Sequence, residues 1–125
     1  MTENEISKTI VDIAYHIHNE LGAGLFESVY EEVMAYELMH RGLYVERQKT
    51  IPVKWNDITM EVGFRADLII ENKVIIELKS IEAITAVHKK QLLSYLKLSG
   101  LKLGLLINFN EALIKNGITR IVNNL

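Results

Sequence analysis

The run from Ile58 to Leu78 constrains this chain more than any other stretch, because two strand-like segments in it must hold one common register. Ile58, Met60, Val62, Phe64, Ala66, Leu68 and Ile70 are all apolar, while the odd positions 59–67 are polar or glycine. Period two marks a strand with one covered face, and Gly63 is the expected place for a bend. Val74, Ile76 and Leu78 are the apolar set of the next strand. A slip of one residue in their pairing would turn a whole apolar set to the wrong face. The two even-numbered sets must therefore share a face. That requires an odd-length loop, and Glu71-Asn72-Lys73 supplies one. This register sets Asp67 across from Glu77 and Arg65 across from Lys79, so two carboxylates and a lysine converge on the other face. An unpaired buried charge is costly, and even a paired one often fails to recover its desolvation. Such a cluster implies a surface face, a satisfied ion network or a functional site.

The flanking segments supply helices and further strands. Ile6, Ile10, Ile13, Ile17 and Leu21 recur at helical spacing ahead of Gly22 and Gly24, which predicts an amphipathic helix over 4–21. A second helix over about 26–41 carries Phe26, Val29, Val33 and Tyr36 on one stripe, with Met39 at its edge, and stops at Gly42. "YVERQKTIPVKW" reads as extended, with Pro52 suited to an edge strand, and Asn56-Asp57 as a turn. After Ser80 a third helix, roughly 85–99, closes at Gly100. Leu92, Leu93 and Leu96 form its apolar side, while His88, Gln91 and Tyr95 form a polar stripe. "LKLGLLINF" is nearly continuous in apolar residues, as in a strand covered on both faces, and "ITRIV" can add a last strand. Strand, helix and buried strand in succession predict a right-handed parallel crossover. The expected architecture is α/β: one domain over residues 1–125, with a mixed central sheet flanked by helices.

Composition narrows the setting. Apolar residues make up 49% of the chain and charged residues 24%, as in an ordinary globular protein. The net charge of −2 provides no global basic field, so any surface for nucleic acid must be local. With no cysteine, disulfides and thiolate metal sites are excluded. No apolar stretch approaches the roughly 18 residues of a membrane span, and the polar, acidic N-terminus is unlike a signal peptide. A soluble cytoplasmic protein without a membrane partner is expected.

The facing acids suggest a chemistry. Carboxylates about 5 Å apart at Cβ repel unless a cation or a proton lies between them. Oxygen-only ligands without His or Cys suit Mg²⁺ or Mn²⁺ rather than Zn²⁺. Lys79, two residues beyond Glu77 on the same face, can reach a water on that metal or a substrate oxygen. Water activated by a metal, with a cation for the developing charge, describes phosphodiester hydrolysis. The pattern Glu-x-Lys is short, and Glu71-Asn72-Lys73 repeats it as a solvated turn. Strand context and the opposing Asp67 distinguish Glu77-x-Lys79. In "GLFESVY", Glu27 and Tyr30 lie one turn apart at a helix start, where the helix dipole alone favours a glutamate.

This constellation resembles the PD-(D/E)XK nuclease superfamily, and more closely the GxxExxY proteins grouped within it. Gly24, Glu27 and Tyr30 fit the name motif, and Asp67 with Glu77-x-Lys79 fits the nuclease signature. "HKKQLLSYLKLSGLKLGLLINF" resembles the segment that follows the signature, and Gln91-x-x-x-Tyr95 resembles the helix motif of the exonuclease branch. Ala66 stands where the short signature has proline. The resemblance implies a restriction-endonuclease-like fold and a Mg²⁺- or Mn²⁺-dependent nuclease acting on DNA. Asp67, Glu77 and the Leu78 carbonyl would bind the metal, with Glu27 joining directly or through water. Lys79 would orient the attacking water or stabilise the charged phosphorane. Gln91 and Tyr95 would hold Lys79 or a phosphate, and Tyr30 would brace the carboxylates. Arg65, His88, Lys89 and Lys90 are the local positive groups for phosphates, whose contacts would make binding salt-dependent. The alternative is a non-catalytic module that keeps the fold and binds nucleic acid or protein. A homodimer or a protein partner fits the small size.

Overall fold

Helix α1, Glu3–Leu21, starts where Thr2 and Glu5 cap it reciprocally, each backbone N–H donating to the other's side chain at 2.9 and 3.2 Å. Ile6, Ile10, Ile13, Ala14 and Ile17 then bury one stripe, as the spacing predicts, but Leu21 at its end is exposed beyond the core. The computed structural model describes residues 1–125, Val62 by its backbone alone, so the side chain of Val62 expected on the apolar face lies outside the described residues. Among the described residues no helix is long and apolar enough to cross a membrane.

Helix α2, Glu27–His40, differs from expectation in the face it buries. Tyr30, Met34, Ala35 and Leu38 reach the core, whereas Phe26 and Tyr36 of the predicted stripe are 80% and 61% exposed. Apolar side chains surround much of this helix, so two stripes satisfy helical spacing equally well. The one bearing Tyr30 is buried, with its ring stacked on Phe109 at a centroid distance of 4.3 Å.

Five strands follow: β1 (Val45–Trp55), β2 (Ile58–Ile70), β3 (Val74–Lys79), β4 (Leu103–Asn108) and β5 (Ile118–Val122). They form one sheet in the order β1-β2-β3-β4-β5, parallel between β3 and β4 and antiparallel elsewhere. Helix α3, Ala86–Ser99, joins the parallel pair and closes at Gly100, which is left-handed at φ 75°. Helices α1 and α2 cover one sheet face through Leu68, Ile70, Val74, Ile76, Leu78, Leu105 and Ile107. Helix α3 covers the other through Leu92 and Leu96, packed on Ile69, Ile75 and Leu106. With both faces covered, β4 is buried throughout.

The register between β2 and β3 is the deduced one: Leu68 faces Ile76 and Ile70 faces Val74. Glu71 and Asn72 turn the chain with φ near 53° and 54°, and Lys73 N–H donates to the Ile70 carbonyl at 2.9 Å. The expected single apolar face of β2 does not extend to its start. The β2–β3 ladder ends at Leu68, and the earlier part of β2 pairs with β1 alone, as a two-stranded arm. Ile58 and Met60 are consequently 60% and 41% exposed. Ala66, with Phe64 packed against the same cluster, lies on the α3 side, opposite Leu68 and Ile70. Arg65 faces Thr50 of β1, not Lys79. The arm kinks where the register shifts between Ile51 and Val53, opposite Gly63. A Cβ on Gly63 would lie 1.8 Å from the Ile51 carbonyl oxygen, so only glycine fits that approach.

Candidate active site

β2 and β3 part at Asp67, and the acids singled out from the sequence lie beside that gap. Asp67 Oδ2 accepts from Leu78 N–H at 2.8 Å, filling the position of a ladder carbonyl. Glu77 Oε2 accepts from Asp67 N–H at 3.4 Å. The two acids are thus cross-strand neighbours, as the register requires. Glu77 is only 7% exposed, and its Oε1 is buried without a hydrogen-bond partner. Burial, then the neighbouring charge of Asp67, push the Glu77 carboxyl up to about 9. Lys79 forms no ion pair among the described residues, so the acids are not a self-satisfied salt-bridge network. This donor set fits a hard divalent cation: paired oxygens, one still orphaned in a buried place. Among the described residues no three Asp, Glu, His or Cys side chains already surround a common point.

Beside the acids opens a cleft of about 320 Å³ lined by Glu27, Ser28, Glu31, Gln48, Asp67, Leu78 and Lys79. Glu27 enters from the first turn of α2, and its Oε1 accepts from Ser80 N–H at 3.2 Å. Ser80 Oγ donates to the Leu25 carbonyl at 2.6 Å, tying the end of β3 to the start of α2. Glu27, Asp67 and Lys79, far apart in the chain, therefore share one cleft.

Other residues singled out from the sequence are placed differently. Tyr30 does not brace the carboxylates. Its hydroxyl donates to the Gly22 carbonyl at 2.6 Å and accepts from Leu25 N–H at 3.2 Å, stapling the loop between α1 and α2. Gly24 in that loop is left-handed at φ 94°. Gly24, Glu27 and Tyr30 thus divide into a turn, a cleft acid and a staple that holds the acid's helix in place. Tyr95 stacks on Phe64 with centroids 3.7 Å apart. Burial, then the charges of Glu77 and Asp67, raise its phenol, which sets Tyr95 near the acids from the α3 side. Gln91, one turn earlier, is exposed and makes no hydrogen bond among the described residues. His88 caps α3, its Nδ1 accepting from Thr85 N–H at 2.9 Å, which leaves only the far edge of its ring for another partner. Lys89, Lys90 and Arg65 are exposed.

Sequence reasoning missed three polar side chains packed around these residues. Glu31 is buried and paired with Arg47 at 3.0 Å; its spacing of one turn from Glu27 was the available signal. Gln48 bridges Glu31 and Asp67, and nothing in its local sequence marks it. Buried Asn108 clamps the segment after Lys79, accepting from Ile81 N–H at 3.1 Å and donating to the Ile81 carbonyl at 3.0 Å. A polar residue ending the all-apolar β4 could have drawn notice.

A mixed sheet flanked by helices, with an Asp, a Glu-x-Lys and a helix-borne Glu at a parting of strands, defines a nuclease-like α/β protein. The family model of the PD-(D/E)XK nuclease superfamily matches residues 4–121, and the chain belongs to that superfamily. Its sheet and helices accord with the restriction-endonuclease-like fold. Nucleases of this superfamily typically use divalent metals. No curated protein and no solved structure matches the chain.

Proposed function

We propose that this protein is a metal-dependent nuclease that hydrolyses phosphodiester bonds in DNA with Mg²⁺ or Mn²⁺, and that it falls in the GxxExxY group of the superfamily. One observation carries the reading. Glu77 is buried against Asp67 with an oxygen left unpartnered, although a lysine stands two residues away. Buried like charges are unfavourable, so the metal-free site favours a proton on Glu77, and a cation taking that proton's place would relieve the same repulsion.

In this reading Asp67, Glu77 and the Leu78 carbonyl hold the cation, and Glu27 completes the set from the cleft wall, directly or through water. When bound, the cation polarises a phosphoryl oxygen and makes water a stronger nucleophile. Lys79, which lines the cleft, would orient the attacking water or offset charge developing on the phosphate. Tyr95 lies near the acids from α3, with Gln91 one turn earlier on the same helix, and Arg65, Lys89 and Lys90 would supply the local positive charge that a chain of net charge −2 needs for a phosphate backbone, while His88 is held as the cap of α3.

The test is incubation of the purified protein with labelled single-stranded, duplex and branched DNA, and with RNA, in Mg²⁺, Mn²⁺ or EDTA. Cleavage of DNA that needs the metal and drops by about 100-fold or more in Lys79→Met is expected. Absence of cleavage together with a melting temperature indifferent to Mn²⁺ refutes the proposal. A Mn²⁺-dependent rise in melting temperature with no cleavage of any substrate would instead favour the binding module.

A further inference from the structure

We infer that Gln48 is a positioning residue for Asp67, holding its carboxylate at the parting of the strands; this deepens the metal-site reading and rests on it. The first observation is the backbone. Gln48 lies inside β1 yet has a left-handed φ of 50°. Residues other than glycine avoid that region, with asparagine and aspartate the usual exceptions. Such outliers persist where the surroundings over-determine them, and they gather at functional sites. Here the outlier interrupts the ladder. Arg47 pairs with Leu68 and Lys49 with Ala66, but Gln48 has no ladder partner opposite Asp67.

The second observation is what the displaced residue touches. Its Nε2 donates to Glu31 Oε1 and, at 3.4 Å, to Asp67 Oδ1. Both neighbours are carboxylates, so only the amide NH₂ can face them. Asp67 is then gripped on both oxygens, Oδ2 by Leu78 N–H and Oδ1 by Gln48. Glu31 lines the same cleft, but both of its oxygens are engaged, the second by Arg47 at 3.0 and 3.3 Å. Arg47, Glu31 and Gln48 form a chain of alternating donors and acceptors ending on Asp67. A second grip of this kind fixes the direction of a ligand's lone pairs.

Gln48→Asn and Gln48→Gly test the inference, because both suit a left-handed backbone while withdrawing the amide from Asp67. Each also takes the donor from buried Glu31 Oε1, so a modest fall in melting temperature is expected for both and the readouts are the two that follow. Without metal, exchange of the Leu78 amide should quicken by about tenfold relative to core amides of β3, since its acceptor is freed. The Mn²⁺ concentration giving half the maximal rise in melting temperature should increase by about 10- to 100-fold. A variant that keeps the parent's Leu78 exchange and the parent's Mn²⁺ requirement overturns the inference. A parent whose melting temperature ignores Mn²⁺ refutes the metal reading instead, and Leu78 exchange then decides the role of Gln48 alone.

Discussion

Replacing Glu77 by glutamine should stabilise the metal-free protein, by an amount that depends on pH. In the unfolded chain this carboxyl has its ordinary value of 4.5, and in the folded protein it is pushed up to about 9. The folded state therefore binds the proton more tightly. The stabilisation linked to that proton is complete below pH 4.5 and is lost as pH rises towards 9. Each pH unit in that window removes about 1.4 kcal/mol, so from pH 4.5 to 7 the parent loses about 3 kcal/mol. Glutamine has no proton to lose. It keeps an acceptor for Asp67 N–H and can turn its NH₂ towards the Asp67 carboxylate. Urea unfolding in EDTA across this range should show parent and Glu77→Gln diverging with pH, the gap reaching about 3 kcal/mol at pH 7. Titrating groups remote from Glu77 cancel in the difference between the two proteins. Saturating Mn²⁺ should shrink or reverse the gap, because the cation replaces the proton and binds the folded parent. Profiles that run parallel from pH 4.5 to 8 in EDTA would refute the buried, charge-repelled environment assigned to Glu77.

Two further substitutions separate charge from hydrogen bonding. Asp67→Asn keeps an acceptor for Leu78 N–H but removes the second-largest cause of the Glu77 shift, so the metal-free pH dependence should flatten. Asp67→Ala also strands that buried N–H and should be about 1–2 kcal/mol less stable than Asp67→Asn in urea, while both abolish the Mn²⁺-induced rise in melting temperature. Tyr30→Phe preserves the stack on Phe109 but loses the bridge to Gly22 and Leu25. It should cost about 1–2 kcal/mol by urea unfolding, and an unchanged midpoint would show that the staple contributes nothing.

The pairing of Asp67 with Glu77 is legible in the amino-acid sequence alone, because period two leaves a buried strand only two registers and one of them exposes the whole apolar set. The odd-length turn, the ends of α1 and α3 and the all-buried β4 follow from equally local rules. Helix α2 is not legible in the same way. Phe26, Val29 and Val33 have the spacing of a core stripe, as do Tyr30, Met34 and Leu38; tertiary packing buries the second, with Tyr30 on Phe109, and of the first only Val33 packs against the core. The face of β2 is readable back from Ile70 as far as Leu68, where pairing with β3 holds it; the earlier part of the strand follows β1 and exposes Ile58 and Met60. Glu31 and Gln48 are silent for a related reason. A glutamate on a helix and a glutamine in a strand are ordinary surface residues by type, and their meaning comes from three-dimensional neighbours. Periodicity reports which side of an element is covered. Which polar groups meet across elements depends on how the helices and strands are packed, and here that packing brings Arg47, Glu31, Gln48 and Asp67 into one chain of contacts.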